Sequence, residues 1–222
     1  MRTFAIAFIL AAFLAATANA AAPERIASAN SVTSKADPQL RITVPRAAKY
    51  VGADRWNLYD VADCEIHVFV EAGNDRRVKR FYWIQFEAYL PEFPDYHYDY
   101  PSPPNTPMRF WNRDFQVRAR FGPTAEPAKP ASDLERVRQL IAKAGYTLPA
   151  HMMNVRLVHL EAKDATGLAR SEMILFYNED MAPMTTMDLI DGDGGPTSKI
   201  NDKWAPLEKA LIKRATRRFG VK

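Results

Sequence analysis

The sequence predicts an α+β domain: an antiparallel β-sheet of about five to six strands, built on two hairpins and packed by two main helices. Three observations predict it. Runs of β-branched and aromatic residues come in pairs around short polar turns. Two other stretches carry apolar stripes at helical spacing. The order is strands, helix, strands, helix, which suits an antiparallel sheet with helices packed on it.

The opening MRTFAIAFILAAFLAATANA has a positive residue, an apolar run from Phe4 to Ala16, and small residues at Ala18 and Ala20. That pattern predicts a secretory signal over residues 1–20, cut after Ala20, and hence a periplasmic or extracellular protein. A retained anchor is the competing reading, because the uncharged run Thr3 to Ala22 has about the length of a bilayer span. No later stretch has that length and hydropathy, so none is expected to cross a membrane after cleavage. The single cysteine, Cys64, rules out an internal disulfide and reads as a small buried hydrophobe.

Residues 21–38 are small and polar without periodicity, and are expected to form a flexible leader to a single domain over 39–222. Leu40 to Val44 alternates as a short strand. Residues 46–64 leave helix and irregular packing both open. Glu65 to Leu90 is the central hairpin, turning at Gly73-Asn74-Asp75-Arg76-Arg77. Pairing Glu71 with Lys79 puts Ile66, Val68, Val70, Tyr82, Ile84, Phe86 and Leu90 on one face, with Arg80 as the exception. The other face then carries Glu65, His67, Phe69, Glu71, Phe81, Trp83, Gln85, Glu87 and Tyr89.

Pro91 to Trp111 has six prolines, which exclude a helix or central strand, and aromatics that exclude a solvated linker. An ordered loop lying against the sheet is expected. Asp114 to Phe121 alternates as a half-exposed strand. Ser132 to Ala144 is a helix, with Ser132 and Glu135 spaced as a capping box and Gly145 as stop. Asn154 to Ala162 and Ala169 to Asn178 form the second hairpin. Pairing Lys163 with Leu168 sets His159 against Glu172 and Glu161 against Arg170. Glu179 to Lys203 is irregular. Trp204 to Phe219 closes the chain as a helix, with Pro206 in its first turn.

Composition excludes little. With 47% hydrophobic and 25% charged residues the chain can bury a core, and a net charge of +4 is too small to argue for nucleic acid. There is no G-x-S-x-G, H-E-x-x-H, C-x-x-C or phosphate-binding glycine loop, and the four histidines show no close pair. No cofactor is expected.

Apolar walls with a few polar groups suit a small ligand, so the expected binding surface is Phe69, Phe81, Trp83, Gln85 and Tyr89 with Tyr96, Tyr98, Tyr100 and Trp111 of the loop. A glycan or a peptide fits that chemistry. Packing of the loop over this face, in a structural envelope protein, is the bland alternative. A hydrolase is another: His67 exchanging a proton, oriented by Glu65 or Glu87. Asp188, Asp191 and Asp193 sit on a glycine-bent loop as a partial match to a calcium loop, with no closing glutamate. The basic residues Lys209, Lys213, Arg214, Arg217, Arg218 and Lys222 complement the last helix's dipole and, as an alternative, could touch acidic lipid heads.

Overall fold

The structure, a computed structural model, describes residues 21–36, 38–163, 167–195 and 197–222. The expected secretory segment lies outside the described residues, as does most of the second hairpin's turn. Among the described residues, thirteen strands and two α-helices run in the order β1 (Ile26–Ser28), β2 (Ser31–Ser34), β3 (Leu40–Thr43), β4 (Lys49–Leu58), β5 (Ala62–Ala72), β6 (Val78–Tyr89), β7 (Thr106–Phe110), β8 (Arg113–Pro123), α1 (Asp133–Lys143), β9 (His151–Lys163), β10 (Ala169–Asp180), β11 (Ile190–Asp191), β12 (Lys199–Ile200), α2 (Trp204–Arg218) and β13 (Gly220–Val221). The antiparallel α+β class therefore holds.

The main sheet is larger than expected: seven strands in the order β4-β5-β6-β10-β9-β8-β7. Helix α1 packs over β4 and β5 on one face. The other face meets α2 and a second sheet of order β1-β2-β3-β13. Each face has its own core. Ile66, Val68, Val70, Phe81 and Trp83 meet Val137 and Ile141 of α1. Tyr82, Ile84, Val155, Leu157 and Leu175 meet Val32, Ile42, Leu211 and Phe219 on the α2 face.

Two expectations about the early chain are corrected. Residues 26–34 are not a flexible leader but β1 and β2, whose Val32 is fully buried. Residues 49–58 are the edge strand β4. Its alternation is broken at Gly52 (φ +149), beside a register shift, where an added Cβ would lie 3.1 Å from Leu140 of α1. Proline-bearing β7 is the opposite edge, where a missing N–H leaves no ladder bond unmade.

Both hairpin registers also differ by one residue from the expected ones. In the first, Ala72 faces Val78 but Glu71 faces Arg80, so Lys79 is an extra residue in the ladder. That bulge turns every later side chain of β6 over, and the odd residues of β6 join the even residues of β5. Arg80 stops being an exception: it reaches Glu71 at 3.3 Å. In the second hairpin His159 faces Met173 and Glu161 faces Ser171, not Glu172 and Arg170.

The helices match expectation closely. Ser132 Oγ accepts from Glu135 N at 3.2 Å, while the Glu135 carboxylate reaches Ala131 N, one residue outside the expected box. Gly145, at φ +77, ends α1.

Candidate functional site

Register fixes which side chains share the α1 face, and it sorts them into rows across the sheet. One row reads Val68, Trp83, Phe176, Arg156, Arg118 from β5 to β8. The next reads Val70, Phe81, Asn178, Asn154, Arg120. On the other side of the first row lies Ile66, Gln85, Ile174, Val158, Gln116, and beyond that Cys64, Glu87, Glu172, Leu160. Each of the first two rows runs from apolar on β5 through aromatic on β6 to cationic on β8.

Helix α1 covers only the apolar end, because it packs on β4 and β5. Between α1, the 121–127 strand end and the middle of the sheet is a cleft of about 450 Å³. Phe81, Trp83 and Phe176 are part of its apolar lining; Arg120, Arg138, Asp133, Asn154 and Asn178 supply polar groups. Trp83 and Phe176 stack at 3.9 Å. Phe176 also borders a smaller hollow among Arg118, Arg120, Asn154 and Arg156. Gly122 lines the cleft, and a Cβ added there meets nothing within 4 Å.

At its other end the α1 face is acidic. Glu87 and Glu172 stand directly opposite each other on β6 and β10. Tyr98 and Tyr100 of the Pro/Tyr loop donate to them, at 2.8 Å and 2.9 Å. Gln85 donates to Glu87 at 2.7 Å. Burial, then the charge of Glu87, pushes the Glu172 carboxyl up to about 8. Glu87 and Asp133 are raised as well, first by burial. Burial also lifts the hydroxyls of Tyr98 and Tyr100, and the carboxylates beside them lift them further.

The loop that brings these tyrosines is pinned. Arg170 donates to the carbonyls of Leu90, Phe93 and Tyr96, and Tyr98 N donates to Ala169 O at 2.8 Å. Tyr89 stacks on Tyr98 at 4.3 Å and meets the exposed Tyr96 edge-on. Trp111 instead packs on Phe115, in the core of the α2 face.

The expected single aromatic face does not exist. Phe81, Trp83, Gln85, Glu87 and Tyr89 point to the α1 face; Glu65, His67 and Phe69 point to the other. His67 and Glu87 are on opposite sides of the sheet. Glu65 and His67 do meet, Oε1 to Nε2 at 2.7 Å, but each is only 1% exposed. Glu65 is spoken for: it also accepts from the backbone of Glu24 and Arg25 and from the Arg25 guanidinium. Burial would raise its carboxyl, but these donors, led by His67, hold it down to about 2. With Nε2 donating to Glu65, the other ring nitrogen meets the Tyr50 hydroxyl at 3.2 Å. The Tyr50 phenol is itself pushed up to about 12 by burial and by Glu65. As placed, the pair ties the chain before β1 to β5 and has no face to offer a substrate.

The three aspartates are not gathered. Asp188 accepts from Thr185 N and Oγ1, Asp193 from Gly195 N, and Asp191 sits opposite Lys199 on β11 and β12. Among the described residues no group of three or more His, Cys, Asp or Glu could hold a metal ion. Nor is any helix among them long and apolar enough to cross a membrane. Of the basic tail, Arg214 binds Glu179 and Arg218 binds Glu71 and the Tyr82 hydroxyl.

No family model, curated protein or solved structure matches the chain, so its own geometry carries the functional reading. Residues that pattern reading passed over are Arg118, Arg120, Asn154, Arg156, Glu172, Phe176 and Asn178. Their signal was present as alternate polar positions on three strands, but it needed the register to become a site.

Proposed function

We propose an exported binding module that takes a small ring-bearing ligand into the cleft beside α1. The secretory pattern of residues 1–20 supports export. What supports binding is the cleft itself: about 450 Å³, within the usual range for small-molecule sites, apolar along Phe81, Trp83 and Phe176, and rimmed by polar groups. A sugar ring or an aromatic side chain of a peptide, the ligands expected from the sequence, both fit that description. Trp83 is buried and stacked on Phe176, and Phe176 is half-buried, so Phe176 is the more accessible of the two rings.

Gly122→Trp is the decisive variant, because its side chain enters the cleft with no atom in the way of its first carbon. Calorimetric titration of the mature protein with ring compounds should show binding to the wild type and none to G122W, whose thermal midpoint stays near that of the wild type. Equal binding to both proteins overturns the reading, as does no binding to the wild type.

A further inference from the structure

We infer that the ligand of this cleft carries an oxyanion, held by Arg118, Arg120 and Arg156 in the adjoining hollow, which shares Arg120, Asn154 and Phe176 with the cleft. The inference rests on the binding reading above and names the chemistry that the site selects.

The first support is an imbalance of charge. Arg118 lies directly opposite Arg156 on β8 and β9, and Arg120 is two residues along the same face. Like charges directly opposite each other destabilise a strand pair. Elsewhere half-buried arginines meet acceptors: Arg25 meets Glu65, Arg55 Asp63, Arg136 Asp54 and Arg214 Glu179, while Arg138 and Arg170 meet backbone carbonyls. Arg118 and Arg120 meet no carboxylate and no other acceptor among the described residues. Arg156 gives one arm to Asn105 at 2.9 Å and lies over the Tyr100 ring, with its Nε buried and unmatched.

The second support is independent of net charge. On the Trp83 and Phe81 rows the buried polar atoms without a partner are all donors: Trp83 Nε1, Asn178 Nδ2 and Arg156 Nε. Trp83 and Asn178 are 4% and 6% exposed, and both line the cleft. The unmatched acceptors, Gln85 Oε1, Gln116 Oε1 and Glu172 Oε2, all fall on the two rows beyond. A buried donor without an acceptor is costly, and so a ligand group rich in acceptors is favoured at the donor rows. Guanidinium forks match the oxygens of carboxylate, phosphate and sulfate. Burial, then repulsion from Arg118 and Arg156, lowers the Arg120 pKa, while Arg156 in turn attracts the carboxylates of Glu172 and Asp133.

Four probes test this by calorimetry at low salt: phenyl phosphate, benzoate, benzyl alcohol and inorganic phosphate. Phenyl phosphate or benzoate should bind about ten-fold or more tightly than benzyl alcohol, the advantage of hydrogen bonds to charged groups. Arg118→Gln with Arg120→Gln should erase that advantage, bringing phenyl phosphate and benzoate to the affinity of benzyl alcohol. Arg118 is half-buried and Arg120 exposed, and neither has a hydrogen-bond partner to lose among the described residues, so the thermal midpoint should stay near that of the wild type. Which anion wins separates phosphate from carboxylate ligands. Benzyl alcohol binding as tightly as the anions, or anion affinity unchanged in the double variant, overturns the oxyanion and leaves the cleft reading standing. If inorganic phosphate binds equally well to G122W and no ring compound binds the wild type, the cleft reading falls instead.

Discussion

Two glutamates on the same sheet, both almost fully buried, are held in opposite states. Glu65, on the α2 face, accepts from two backbone N–H groups, a guanidinium and an imidazole, and its carboxyl is lowered to about 2. Glu172, on the α1 face, accepts from one tyrosine, faces Glu87 across the ladder, and is raised to about 8. Burial alone therefore says nothing about function. What separates them is the number of donors aimed at each carboxylate. A fully supplied carboxylate is a structural tie. An undersupplied one marks a region where the fold has left polar needs unmet.

The comparison breaks most directly at Glu65. Glu65→Ala leaves Arg25 and His67 without their acceptor and should destabilise by roughly 3 to 5 kcal/mol in urea unfolding. Its folded pKa lies below the ordinary value, so its contribution is complete above about pH 4.5 and drains away as pH falls toward 2. A small loss from E65A would mean that the tie is dispensable.

The opposite sign is expected at Glu172. Its proton is kept in the fold to about pH 8 and released by the unfolded chain near 4.5, so stability should decline as pH rises through that window. Glu172→Gln keeps an acceptor for Tyr100 and removes the titration. It should flatten the decline and leave the variant more stable than wild type at pH 9, by roughly 2 to 4 kcal/mol. Parallel pH–stability curves for the two proteins would show Glu172 ionised and dissolve the contrast. The smallest effect is Tyr100→Phe: loss of one donor should lower stability by about 1 kcal/mol and push the end of the decline to higher pH.

How much was legible in the sequence follows from where pattern carries information. Ser132, Glu135 and Gly145 bounded α1 because caps are local chemistry. The strands of both hairpins were found, since β-branched and aromatic runs declare themselves. Their registers were not. On β6 both Phe81-Trp83 and Tyr82-Ile84 are buried, so either alternation satisfies a core, and only the extra Lys79 decides. That one residue moved Trp83 to the side opposite His67 and divided the expected site in two. Strand β4 was hidden by the irregularity at Gly52, β7 by Pro107, and β1 and β2 by their small polar composition. The arginine cluster was invisible for a related reason: Arg118 and Arg120 read as the wet side of a strand until Arg156 is seen opposite.

Gly122 has a practical corollary. Because its missing side chain opens onto empty space, a graded series of Ala, Val, Leu and Phe at that one position would act as a caliper. The step at which uptake of a given probe ceases would measure how deeply that probe sits, with the floor and the arginines untouched.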